Sequence, residues 1–248
     1  MTYCLAMNLD EGLVFCSDSR TNAGPDRVSI YSKLHRFSLH NDRQVALMSA
    51  GNLGTTQAVV AAMERDLSTD SERTLHRAED IASIADYVGE LSVAIQRKYA
   101  PGGEEAGFNA EATFILGGQI KGGRPELYLI YPEGNHIRAS LRHPFLQIGE
   151  TKYGKPILDR IIQGDTPPET AMRCALLSID STMRSNATVG PPLECLFYRG
   201  DSLQPYEHYC KLEENHPYLM AIRQGWDANI REAFERLPSL TSVFEAGQ

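Results

Sequence analysis

Thr2-Tyr3-Cys4-Leu5-Ala6-Met7-Asn8-Leu9, then Asp10-Glu11-Gly12, then Leu13-Val14-Phe15-Cys16-Ser17-Asp18-Ser19 is the stretch that decides how this chain is read. Two apolar runs of strand length flank a turn, and so short a connection joins strands only as an antiparallel hairpin. Pairing across that hairpin brings residues near position 19 opposite Thr2, so Asp18 falls beside the start of the chain.

Outward from the hairpin, Lys33–Leu39 and Gln44–Ser49 form a second strand pair around His40-Asn41-Asp42. Two helical stretches follow, Thr55–Leu67 and Ala78–Tyr99, the second with Ile81, Ile84, Ala85, Val88, Leu91 and Ile95 on one face. Pro101–Gly107 reads as a loop. Ala112–Gly117 and Glu126–Tyr131 flank a turn at Gly118–Pro125, a third strand follows Pro132-Glu133-Gly134-Asn135, and Phe145–Ile148 is another. Helices at Lys155–Ile162 and Pro168–Arg184, a strand at Leu193–Tyr198 and a helix over Pro217–Leu237 complete the chain. Hairpins and helix pairs in blocks point to an α+β fold rather than alternating βαβ units. Two stacked sheets with a helix pair outside each would bury every apolar face. The whole chain, 1–248, reads as one domain with a helical tail from about residue 203.

Composition narrows the function classes. Of the 248 residues 42% are hydrophobic and 23% charged, enough for a sizeable core. No run of 18 apolar residues exists, and Met1-Thr2-Tyr3-Cys4-Leu5 lacks the basic region of a signal peptide before Asp10-Glu11. These features predict a cytoplasmic protein without a membrane partner. A net charge of −8 with no Lys/Arg-rich block argues against nucleic acid. Five scattered cysteines without a C-x-x-C argue for reduced core thiols, not a disulfide or zinc framework. The seven histidines show no H-E-x-x-H spacing, so no metal is predicted, and there is no G-x-S-x-G elbow.

The chemistry that remains is at the N-terminus. The small side chain of Thr2 permits removal of Met1, which places a hydroxyl and a free α-amine on one residue. An α-amine titrates near pH ~8, so much of it is neutral in the cytosol and can take the hydroxyl proton. Asp18 can hold a cation or orient the amine, and the ammonium of Lys33 would favour the alkoxide. In Ala50-Gly51-Asn52-Leu53-Gly54, a glycine between strand and helix can offer a backbone N–H to an oxyanion.

The run Thr2-Tyr3-Cys4 through Gly12-Leu13-Val14-Phe15-Cys16-Ser17-Asp18-Ser19-Arg20 resembles the start of a mature proteasome β-subunit and of the bacterial HslV peptidase. It is still more similar to the bacterial ancestral β-subunit branch, Anbu, as is the later Asp180-Ser181-Thr182-Met183-Arg184-Ser185-Asn186. The resemblance implies a four-layer αββα sandwich and a threonine peptidase of the N-terminal-nucleophile class. Thr2 matches the nucleophile, Asp18 the acid, Lys33 the lysine and Gly51 the oxyanion donor, with Ser49 and Leu53 lining the substrate pocket. The groups that usually set the amine differ: Gly149-Glu150-Thr151 replaces Gly-Ser-Gly, and the Asp-x-x-Ser-Gly pattern is altered. Glu150, Asp180, Ser181 and Ser185 are the candidate amine-orienting groups. The mechanism needs no metal or organic cofactor. A peptide substrate and a homo-oligomer, ring or open helical stack, are implied; no unfoldase partner is legible. The alternatives are an inactive structural subunit, against which stands a start directly at Thr2, and an amidase for small amide or isopeptide bonds.

Overall fold

β1 (Tyr3–Leu9) and β2 (Gly12–Asp18) form the expected antiparallel hairpin, with Leu9 opposite Gly12 and Cys4 opposite Ser17. The computed structural model of the chain describes residues 1–22, 28–37, 39, 41–69, 71–100, 109–140, 142–204 and 208–245. The expected loop at 101–107 and His40 of the second turn lie outside them.

The remaining strands are β3 (Arg20–Asn22), β4 (Val28–Ile30), β5 (Leu34–Phe37), β6 (Arg43–Gly51), β7 (Ala112–Ile120), β8 (Glu126–Ile130), β9 (His136–Arg138), β10 (Phe145–Gly149), β11 (Leu193–Arg199) and β12 (His208–Leu212). The helices are α1 (Leu53–Ser68), α2 (Ile81–Tyr99), α3 (Lys155–Ile161), α4 (Pro168–Ser185), α5 (Pro217–Glu235) and α6 (Thr241–Glu245). One sheet has the order β10-β1-β2-β11-β12, the other β5-β6-β7-β8-β9, and β3-β4 form a separate small hairpin. All pairings are antiparallel.

The inner faces of the sheets meet in one core, where Cys4, Ala6, Leu13 and Phe15 pack with Leu34, Ala46, Met48, Ile115 and Leu127. Helices α1 and α2 cover the outer face of the β5–β9 sheet through Val59, Met63, Ile84 and Val88. Helix α4 lies over β1, β2 and β11, with α3 beside it. The result is the expected αββα sandwich. It explains why β1 and β2 read as nearly continuous apolar runs: a strand covered on both faces has no polar side.

Helix boundaries follow their caps. Asn52 accepts from Thr55 N–H at 3.1 Å, so α1 starts two residues before the expected Thr55. Asp80 accepts from Ser83 N–H at 2.7 Å, so α2 starts three residues after the expected Ala78. The chain divides into two compact units, residues 1–214 and 215–248. The expected tail boundary near 203 falls inside the first unit because β12 pairs with β11, Cys210 opposite Cys195. The second unit contains α5 and α6; Leu219 is buried, whereas Phe234, Leu237, Leu240 and Phe244 are exposed. All five cysteines are free thiols, and four are buried. No helix among the described residues is long and apolar enough to cross a membrane.

Gly117 sets how closely the sheets approach, since a Cβ there would sit 2.6 Å from Phe15 Cζ and 2.9 Å from Leu127 Cδ1. Gly117→Ala is expected to cost about 1–3 kcal/mol in urea unfolding by overpacking. Adding Phe15→Leu, which shortens the side chain it strikes, should recover part of that loss in the double variant.

Candidate active site

Lys33 sits one residue before β5 and is tied to β6 by Ser49 N–H, which donates to its carbonyl at 3.1 Å. Its Nζ donates to Asp18 Oδ1 at 2.6 Å and to the Arg20 carbonyl at 2.7 Å. Asp18 closes β2 and has no exposed surface. It also accepts Tyr3 N–H on Oδ1 at 2.9 Å and Gly190 N–H on Oδ2 at 3.1 Å. Burial pushes the Asp18 carboxyl up from its ordinary range, while the Lys33 ammonium and then the two N–H donors pull it back.

Thr2 is held from the opposite side. Its carbonyl accepts Glu150 N–H at 2.7 Å, just after Gly149. Gly149 has φ +82°, and a Cβ there would lie 1.9 Å from the Thr2 oxygen, so only glycine permits this approach. Gly51, the last residue of β6, has φ +108°, and its missing Cβ would strike the Glu111 carbonyl at 2.4 Å. Thr2, Lys33, Ser49, Gly51 and Leu53 line one cavity of about 230 Å³. The structure thus brings six of the sequence-selected residues, these five and Asp18, to one place. The cavity lies at the start of α1, whose first N–H groups carry positive partial charge.

Behind the cavity wall is a buried acid that sequence reading did not single out. Glu194 of β11 accepts from Ser32 Oγ and from Tyr209 Oη, each at 2.6 Å. His35, also on the wall, is pushed towards its neutral form by burial, against the pull of Glu194. Lys33 is the one residue among lysine, arginine, aspartate and glutamate in the described lining.

The N-terminal amine of Met1 is lowered from its ordinary range by burial first and by Lys33 second, while Asp18 and Glu150 oppose. Of the four candidate amine-orienting residues, Glu150 is brought to the start of the chain. Asp180 forms an ion pair with Arg184 at 3.4 Å, Ser181 is half-buried on α4, and Ser185 is exposed at its end. Asn186, the residue after α4, donates its Nδ2 to Glu150 Oε2 at 3.2 Å. Nothing in the spacing of this residue signals that contact, because the end of α4 and the end of β10 meet only in the folded sheet. The same holds for Gly190 and for the Arg20 carbonyl.

Replacing Lys33 by Met leaves Asp18 buried with two N–H donors and no cation. The expected cost is about 3–5 kcal/mol at neutral pH, read from denaturant unfolding. The sign follows from linkage. Loss of the cation raises the folded-state pKa of Asp18 beyond its already raised native position, so the deficit is smallest below about pH 4, grows as pH climbs from the native value to the variant's, and is level above it. A deficit that is constant across that window would contradict the ion-pair description.

The proteasome subunit family model matches residues 2–196. No curated protein matches the chain. Among solved structures, Anbu from Yersinia bercovieri is 43% identical with a TM-score of 0.90, the alignment covering 96% of this chain and 99% of that one. The helical assembly of the Anbu complex from Pseudomonas aeruginosa is 45% identical with a TM-score of 0.90, covering 96% and 98%. Anbu from Hyphomicrobium sp. strain MC1 is 40% identical with a TM-score of 0.87, covering 96% and 99%. The shared fold, length and identity show that the chain belongs to the proteasome family and, within it, to the Anbu branch.

Proposed function

We propose that the chain is an N-terminal threonine peptidase that cleaves peptide bonds with Thr2 once Met1 has been removed. The observation that carries this reading is the convergence of Thr2, Lys33 and Gly51 on one cavity, with Asp18 buried against Lys33. The Thr2 hydroxyl gives its proton to the α-amine of the same residue and attacks the peptide carbonyl. Lys33, held by Asp18, stabilises the alkoxide. Gly51 N–H binds the tetrahedral oxyanion, a contact of a kind worth roughly a hundredfold to a thousandfold in rate. The leaving amine departs with a proton, and water activated by the α-amine hydrolyses the acyl-enzyme ester. Ser49 and Leu53 line the pocket for the residue before the cut.

The Pseudomonas relative forms a helical assembly, which supports a homo-oligomer here. An assembly of this kind would restrict access to the nucleophile in the cytosol, where the chain is proposed to act on peptides.

Turnover of a fluorogenic peptide panel tests the reading. Thr2→Ala should fall to background with an unchanged melting temperature, while Thr2→Ser, which keeps a hydroxyl and an amine, should retain measurable activity. Full turnover by Thr2→Ala would overturn the assignment.

A further inference from the structure

Three cysteines far apart in the sequence meet in the first sheet. Cys16 of β2 stands directly opposite Cys195 of β11, and Cys195 stands directly opposite Cys210 of β12. Opposed side chains of an antiparallel pair share one face. The three thiols therefore form one row across three neighbouring strands. Phe15, Leu196 and Tyr209, each next to one of them in the chain, belong to the core between the sheets. The thiols point the other way, to the outer face, where α4 lies over β2 and β11.

Burial falls along the row. Cys16 and Cys195 have no exposed surface, whereas Cys210 is half-buried. An oxidant in solvent thus reaches Cys210 first. Strand β12 ends the sheet and pairs on one side, with β11. The Cα atoms of directly opposed residues lie roughly 4.5–5.5 Å apart, inside the roughly 4.4–6.8 Å that disulfides span. Closing a bond asks the two strands to draw together slightly, and an end strand held in the sheet on one side can do so. Cys16 lies between β1 and β11 and has neither that freedom nor that access. The neighbouring Cys195 thiol, and burial after it, hold the Cys210 thiol above its ordinary range, so each thiol senses the other.

We propose that Cys210 and Cys195 form an oxidation site for a peroxide: Cys210 is oxidised first, and Cys195 then closes a disulfide between β12 and β11. The Cys210 sulfur attacks the O–O bond and takes one oxygen as a sulfenic acid, and the other oxygen leaves as water. The Cys195 sulfur then attacks the Cys210 sulfur. The S–S bond forms, the S–O bond breaks, and the hydroxyl leaves with the Cys195 proton as a second water. Two thiols lose two electrons in all, and the peroxide gains them. The bond fastens the strand whose Tyr209 donates to Glu194 behind the cavity wall at 2.6 Å. It does not depend on the chemistry proposed for Thr2.

The full chain, reduced and then freed of reductant, is treated with hydrogen peroxide, blocked at its remaining thiols and digested without reduction. Mass spectrometry should find the Cys195 and Cys210 peptides joined, and dithiothreitol should separate them. Dimedone, which traps sulfenic acids, should label Cys210 and leave Cys195 and Cys16 unlabelled. Cys210→Ser, at a half-buried position, should abolish the joined peptides. Cys195→Ser should raise the dimedone adduct at Cys210 severalfold, because the thiol that resolves it is gone. A Cys16–Cys195 bond, a Cys210–Cys210 bond between two copies, or Cys210 carried on to the sulfinic acid with no bond would each overturn the proposal. Joined peptides that appear only when the chain is oxidised in urea would overturn it as well.

Discussion

A carboxylate with no exposed surface, Asp18, meets a lysine ammonium at 2.6 Å in the wall of the cavity. Two charges taken out of water stabilise a fold only when each finds its partners, and removal of one strands the other. Asp18 finds three donors, drawn from the residue before β5, from the start of β1 and from the loop before β11. The pair thus ties the first sheet to the second at the point where the chain begins. It also fixes Tyr3 N–H, and with it the direction in which Thr2 leaves β1.

The register of the hairpin is the condition for this. A slip of one residue between β1 and β2 would send Asp18 to the opposite face of the sheet and Ser17 or Ser19 into its place. Burial of both faces of β1 and β2 prevents such a slip, because it would carry every apolar side chain with it. Two glycines complete the frame: Gly149 lets β10 approach the Thr2 carbonyl, and Gly51 lets β6 turn into α1 beneath the cavity. Backbone contacts thus hold the start of the chain from both sides, through Tyr3 N–H to Asp18 and through the Thr2 carbonyl to Glu150 N–H.

What could be read from the sequence was what depends on local chemistry. The turn at Asp10-Glu11-Gly12 announces the hairpin, and counting across it puts Asp18 beside Tyr3. Apolar spacing marks α2, and the small residues around Gly51 mark a strand-to-helix turn. The three-residue strands β3 and β4 were missed because Arg20-Thr21-Asn22 has no alternation to detect. Strand β12 was missed because His208–Leu212 takes its pairing from β11, not from its own pattern. Asn186 and Gly190 could not be found because they belong to the connection between α4 and β11, whose place beside Thr2 is decided by sheet order. Glu194 gave no signal because a strand glutamate reads as an outward residue unless its buried partners, Ser32 and Tyr209, are known.

The central claim is that Thr2 carries a nucleophilic hydroxyl and a usable α-amine on one residue. A peptide epoxyketone tests this most directly, since closing its ring adduct requires both groups. The intact mass of the purified protein should show loss of one methionine and then a stoichiometric adduct, mapped to Thr2. Retained Met1 with no adduct would contradict the account and return the chain to a structural role; a free Thr2 that stays unmodified would contradict the proposed placement of its amine.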